Sequence, residues 1–255
     1  MSCIHLIAPQ GTPEWLSNRC GSITGSMFSE ARNIVGGLTD QQSKLVSLVR
    51  SGMSKKDAAI AAGYKTTPNF SAFDDAVAGK KIGEPSNAAK AYAFKLAVER
   101  ISGQLLDVPQ FETWQMRQGT EMEPEARLKY EEKSGLLVEQ TGLALTEDRV
   151  FGSSVDGLVD DDGIIEIKCF VDPTKLQSIL IDGNIGEVMD QVQGSLWITG
   201  RKWADFVLYC RQLECINRDL TIIRVNRDDD YITELEADLL RFNEYVKQIQ
   251  SKLFK

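Results

Sequence analysis

The sequence predicts an α/β (α+β) fold: a central mixed β-sheet flanked by helices, with a helical insertion. Three observations predict it. Helix-patterned segments come first, then a run of short strands, then a helix, two strands and a closing helix, an order that packs helices onto a sheet. The 255 residues, 42% hydrophobic and 26% charged, are enough for one sizeable core, so 1–255 is read as a single domain. The stretch 38–83 interrupts the order with short helices and turn formers and is read as an insertion within that domain.

The elements follow in order. PEWLSNRCGSITGSMFSEARNIV (13–35) gives a turn, a short helix, a Gly-Ser break and a helix from near Ser26. LTDQQSKLVSLVRSG (38–52) is an amphipathic helix stopped by Gly52, and MSKKDAAIAAGYK (53–65) a second, with Ser54 as N-cap and Gly63 as C-cap. Two helices around an S-G-M turn make a helix-turn-helix pattern. The segment resembles the N-terminal helical module of phage terminase small subunits; a plain hairpin covering the core fits equally. Residues 67–87, rich in turn formers, are read as a loop. SNAAKAYAFKLAVERISGQ (86–104) is a long helix from Ser86 with Ala91, Phe94, Leu96 and Val98 among its apolar positions. TEMEPEARLKYEEKSG (120–135) is another, closed by Gly135. Strands are expected in 136–146, 149–160 and 163–170, a helix over 183–200, strands at 203–210 and 220–228, and an amphipathic helix over 232–254.

Composition excludes several classes. No run of 18 apolar residues exists, so no membrane helix is expected. The first residues lack a basic region followed by an apolar stretch, so the cytosol is the expected compartment. The five cysteines (Cys3, Cys20, Cys169, Cys210, Cys215) contain no C-x-x-C, which disfavours disulfides, zinc and iron–sulfur clusters. With one histidine, His5, Ser/His or Cys/His catalysis has almost nothing to work with. The net charge is −8, yet residues 41–100 carry +5 and the remainder −13. That asymmetry suits one basic surface on an acidic protein, or a solvated helical face.

The chemistry concentrates in SSVDGLVDDDGIIEIKCF (153–170). Asp161-Asp162-Gly163 suits a three-residue hairpin loop with Gly163 left-handed, which pairs Asp160 with Ile164 and sets Asp156 across from Lys168. Glu166 then lies diagonally beside Asp156 on the same face, while Ile165 and Ile167 point into the core. Asp156 and Glu166 can hold a hard cation such as Mg²⁺, with the Ile167 carbonyl as third ligand. Such an ion acidifies a bound water and neutralises charge on a phosphate, and Lys168 can orient the water or stabilise the phosphate. The alternative is an amphipathic hairpin with its charges toward water.

Asp-x(n)-Glu-x-Lys on a hairpin resembles the PD-(D/E)xK restriction-endonuclease-like signature, although Val155 stands where a proline usually precedes the aspartate. R-C-G-S-I-T-G-S (19–26), G-T-E-M-E-P-E-A (119–126), S-V-D-G-L (154–158), E-I-K-C (166–169) and Q-V-Q-G-S-L-W-I-T (191–199) occur in the order of the phage lambda-type exonucleases. The sequence therefore resembles that YqaJ-like viral recombinase family from about Thr12 to Arg211, with 38–83 the main departure.

The resemblance implies that Asp156, Glu166 and Lys168 are the catalytic metal-site triad. Glu123 would help bind a second metal, though Thr120 and Glu123 also read as a capping box. Gln191 would support the site from the following helix. Arg19, Ser26 and Ser154 would form a pocket for a 5′-phosphate. Met116 would wedge open the duplex end, or fill core. Trp15 is read as core ahead of lining the DNA path. The implied activity is 5′-to-3′ digestion of one strand of linear double-stranded DNA, with Mg²⁺ as cofactor and Mn²⁺ able to substitute. The product would be a 3′ overhang for phage-type recombination. A ring-shaped homotrimer, a phage single-strand annealing protein as partner and the host bacterial cytosol are implied as well. The alternatives are a related endonuclease of the same fold, a non-catalytic DNA-binding protein or a structural phage component. A helicase-associated nuclease would need cysteine spacing that this sequence lacks.

Overall fold

The computed structural model describes residues 3–6, 11–106, 114–169 and 172–255. The chain opens with β1 (Cys3–Leu6), α1 (Pro13–Asn18), β2 (Ile23–Thr24) and α2 (Phe28–Ala31). Next come β3 (Ile34–Val35), α3 (Asp40–Arg50), α4 (Lys55–Ala61), α5 (Phe73–Val77) and β4 (Glu84–Pro85). Helices α6 (Asn87–Ser102) and α7 (Trp114–Ser134) lead to β5 (Val138–Glu139), β6 (Leu143–Thr146), β7 (Phe151–Ser154), β8 (Gly157–Val159) and β9 (Gly163–Lys168). Helices α8 (Pro173–Leu180) and α9 (Gly186–Thr199), strands β10 (Trp203–Tyr209) and β11 (Leu220–Asn226), and α10 (Asp229–Leu253) close the chain. Two compact units result: residues 33–90, and residues 1–32 with 91–255.

The larger unit holds two mixed sheets where the sequence suggests one. Their strand orders are β1-β6-β7-β2 and β11-β10-β9-β8-β5. The chain passes from the first to the second between β7 and β8, at Val155 and Asp156, so one run of strand-like sequence serves both sheets. The expected strand 136–146 divides in the same way, into β5 and β6.

Strand β9 is central: it pairs with β8 antiparallel and β10 parallel. Both its faces are covered, which is why Ile164, Ile165 and Ile167 follow one another so closely. Ile164 packs with Val188, Val192 and Leu196 of α9, whereas Ile165 and Ile167 pack with Met122, Ala126 and Tyr130 of α7. Helix α9 in turn meets Phe28 at Gly194, where an added Cβ would come within 2.3 Å of the Phe28 ring.

Several elements differ from expectation. Residues 25–27 form a 3-10 turn before the four-residue α2, in place of a helix from Ser26. Helix α7 begins at Trp114, so Thr120 and Glu123 are interior to it and do not mark its N-terminus. Ser86 does cap α6, accepting the Ala89 N–H at 3.0 Å. The buried face of α6 is Ala89, Ala93, Leu96 and Ala97, while Ala91 and Phe94 are exposed. That set follows the i, i+4, i+7, i+8 spacing of one helical face. Helix α8 was not anticipated from the sequence, although Asp172-Pro173 announces it: Asp172 accepts the N–H of Thr174 and Lys175, and Pro173 is the first helical residue. No helix among the described residues is long and apolar enough to cross a membrane.

In the smaller unit, β3 and β4 pair antiparallel, bringing together the chain's way in and way out. Between them, Leu45, Val46, Ala58, Ala59, Ala62, Phe73 and Ala76 form a core belonging to this unit. Helix α5 occupies part of the stretch expected as loop.

Candidate active site

The hairpin β8–β9 is shifted from the expected register. Val159 pairs with Gly163, and Gly157 with Ile165, which sets Asp156 opposite Glu166 instead of Lys168. The reason lies in the turn. Asp160, not Gly163, takes the left-handed conformation (φ 47°), which aspartate tolerates. Gly163 is a strand residue under Trp203, whose ring would come within 2.2 Å of an added Cβ. The glycine marks packing rather than the turn. The change moves pairing by an even step, so Asp156 and Glu166 still share a face.

Asp156 ends the ladder. Its N–H reaches the Ile165 carbonyl at 3.2 Å, and its Oδ2 accepts the Ile167 N–H at 2.6 Å. Because N–H and C=O of a strand residue face the same side, the Ile167 carbonyl also faces this side, beyond the last β8 pair. Glu166 is buried. Its Oε1 accepts from Lys168 Nζ at 2.6 Å and from Gln191 Nε2 at 2.5 Å. Its Oε2 is buried with no hydrogen-bond partner among the described residues. Gln191 reaches Glu166 from α9, so the helix after the hairpin fixes the carboxylate from the side.

The electrostatics match this crowding. Burial and the neighbouring Glu166 hold the Asp156 carboxyl well above the usual carboxylate range. Burial works against charge on Lys168, but Glu166 and Asp156 outweigh it and leave the ammonium harder to deprotonate than usual. Glu123, on α7, is raised chiefly by burial, against the pull of Arg127, and it also feels the charges of Glu166 and Lys168. Its Oε1 accepts from Arg127 one turn later at 2.5 Å. Beside Lys168, burial pushes the Cys169 thiol up to about 12, with Glu123 and Asp156 adding to it.

The residues fit a hard divalent cation. The orphaned Glu166 oxygen is a polar atom that burial makes costly, by about 1–3 kcal/mol or more for a charged group, unless something binds it. A cation would also relieve the repulsion that raises Asp156. The donors are all oxygens, which suits Mg²⁺. Among the described residues no three of His, Cys, Asp and Glu gather into a metal-holding group. A cation would therefore rest on Asp156, Glu166, the Ile167 carbonyl and water, while Glu123 is drawn toward Arg127.

A second cluster surrounds Trp15. Its indole N–H donates to Ser154 Oγ at 2.8 Å, and the Arg19 guanidinium lies over its ring, 4.4 Å from the centroid. Arg19 Nη2 donates to Thr24 Oγ1 at 3.2 Å. Trp15 is thus buried with Leu143 and Leu145 and also contacts both Arg19 and Ser154, a double role that composition gives no sign of. Thr24 is likewise a contact that sequence reading missed. Ser26 is exposed in the 3-10 turn. The neighbouring Gly25 abuts Gln191: a Cβ there would lie 3.8 Å from its Cγ, which puts the turn next to the carboxylate cluster. Met116 is in the first turn of α7, and its side chain lies outside the described residues.

The profile of the YqaJ-like viral recombinase domain matches residues 14–202. The chain belongs to that family. An alkaline exonuclease (LHK-Exo) from Laribacter hongkongensis has a similar structure, with TM-score 0.66 at 26% identity, covering 95% of this chain and 96% of that one. The same protein in complex with dAMP gives TM-score 0.68 at 25% identity, with the same coverage. A phage related exonuclease from Haemophilus somnus 129PT matches in fold, with TM-score 0.54 at 18% identity, over 91% of this chain and 96% of that one. No curated protein matches the sequence. The YqaJ-family core is of the PD-(D/E)xK-like type, mixed sheets flanked by helices.

Proposed function

We propose that this YqaJ-family nuclease is a Mg²⁺-dependent exonuclease that digests the 5′ strand of linear duplex DNA and leaves a 3′ single strand. The observation that carries the reading is Glu166. One carboxylate oxygen is pinned by Lys168 and Gln191, and the other is buried, without a hydrogen-bond partner among the described residues, on the face it shares with Asp156. Family membership and the two alkaline exonuclease structures support nuclease chemistry.

Asp156, Glu166 and the Ile167 carbonyl would hold the cation, and Mn²⁺ would replace Mg²⁺. When bound, it would supply Lewis acidity for a water nucleophile and for the attacked phosphate. Lys168 has three donors, one of them on Glu166, and would direct another to the charge growing on the phosphate oxygens. Gln191 would keep Glu166 oriented, and Glu123 would adjust charge from α7. Cleavage on the 3′-oxygen side of the phosphate leaves a fresh 5′-phosphate, so one pocket serves each cycle. Arg19 and Ser154 would bind that phosphate, Arg19 by charge and Ser154 through the hydroxyl proton left when its oxygen accepts from Trp15. Ser26 would complete the pocket and Met116 would part the duplex end. A trimeric ring around DNA and a single-strand annealing partner belong to the same proposal.

The test uses linear duplex labelled on either strand, beside closed circular DNA. Stepwise loss of the 5′ strand from linear DNA alone is expected. Cutting of the circle would instead make the protein an endonuclease of this fold, and binding without cutting a DNA-binding scaffold. In the same assay, Arg19→Ala is expected to narrow the rate gap between 5′-phosphorylated and 5′-hydroxyl ends. An unchanged ratio would remove Arg19 from the pocket.

A further inference from the structure

The smaller unit has a surface that the nuclease reading does not use. Helices α3 and α4 flank the turn Ser51-Gly52-Met53, in which Gly52 is left-handed at φ 97°. Small residues on the inner side of α4, Ala58 and Ala59, and the C-cap Ala62 are buried with Leu45 and Val46 of α3. The outer side of α4 therefore faces away from the unit's core. It carries exposed Lys56 and Ile60, the latter 64% exposed, and the chain continues into exposed Lys65, Thr66 and Thr67. On α3, Lys44 and Arg50 are exposed too.

The charges of this unit are unbalanced. Residues 33–90 contain eight cations and five carboxylates, a net of +3 in a chain of net charge −8. Of the carboxylates, Asp57 accepts the Ser54 hydroxyl at 2.6 Å within the N-cap of α4, and Asp40 and Asp74 are exposed. The carboxylates of Asp75 and Glu84 pair with Lys80 and Lys90. Lys55 lies over the Phe73 ring, 3.8 Å from its centroid, and so serves the unit's core. Lys44, Arg50, Lys56 and Lys65 take part in none of these pairs.

We propose that residues 33–90 are a duplex-DNA-binding helix-turn-helix module, additional to the nuclease site. An α-helix such as α4, about 10–12 Å across with its side chains, fits into a major groove about 12 Å wide. Ile60 would meet base edges, where thymine methyl groups offer apolar contact, and the four cations would meet phosphates. Duplex DNA is the occupant that the charge selects: an excess of cations in an otherwise acidic chain complements a polyanion.

The test is binding of the full chain to a dumbbell duplex, closed at both ends by hairpin loops, in EDTA. Fluorescence anisotropy over a salt series gives affinity and its salt slope. The variant Lys44→Gln/Arg50→Gln/Lys56→Gln/Lys65→Gln is expected to bind more weakly, with the slope of log K against log salt reduced by about 3 to 4. Ile60→Glu, a single exposed change, is expected to weaken binding as well, and it decides the matter if the fourfold variant melts early. Affinity and slope equal to wild type in both variants would overturn the proposal and leave this surface to solvent or to a protein. Wild-type protein that ignores the dumbbell would overturn it equally. Neither readout depends on cleavage, so failure here is separate from failure of the exonuclease reading.

Discussion

Replacing Lys168 with alanine is expected to lower DNA hydrolysis by at least about a hundredfold, the scale on which a single preorganised donor to a developing oxyanion acts. The chain should still fold. Lys168 is part-exposed, with 25% of its side chain accessible, so its removal leaves no cavity in the core. Glu166 would keep the Gln191 hydrogen bond but lose its ion pair, so a loss of stability is expected beside the large loss of rate. Rates on linear duplex and a circular-dichroism melt separate the two effects. Wild-type cleavage by Lys168→Ala would remove the residue from the site.

Gly194→Ala is expected to have a large structural effect. A methyl group there enters the Phe28 ring, and Phe28 is itself fully buried against Trp197, 6.5 Å between ring centroids. With the ring fully buried, overpacking should cost about 1–3 kcal/mol. Relief by tilting α9 would carry Gln191 with it, one turn earlier on the same helix. Lower thermal stability together with lower activity is therefore expected. A melting temperature equal to wild type would show that Phe28 can give way.

The parts of the fold that sequence makes legible are those set by local pattern. Helix α10, the cap at Ser86 and strands β10 and β11 follow from periodicity and capping chemistry. What the sequence hid is long-range. Gly163 carries a turn signal, yet its cause is the Trp203 ring forty residues away, and the misread glycine displaced the expected pairing of the hairpin. The split into two sheets depends on a bend at Asp156 that no residue type announces. At the candidate site, the strand period alone put Asp156 and Glu166 on one face, and this survives the change of register. The reach of Gln191 to Glu166 and the clamp of Trp15 on Arg19 and Ser154 connect segments 25 and 139 residues apart, beyond any local signal. Motif order supplied those residues; geometry supplied Thr24 and the double role of Trp15.

The central claim is that the carboxylates of the β8–β9 hairpin hold the cation that cuts DNA. The most direct measurement is the rate of linear-duplex digestion against Mg²⁺ concentration, for wild type and for Asp156→Asn, with EDTA as the zero point. The account predicts no wild-type cleavage in EDTA, saturation with Mg²⁺, and for Asp156→Asn either no activity or a requirement for much more Mg²⁺. Wild-type cleavage undiminished by EDTA, or an Asp156→Asn variant with the same rate and the same Mg²⁺ dependence, would contradict it.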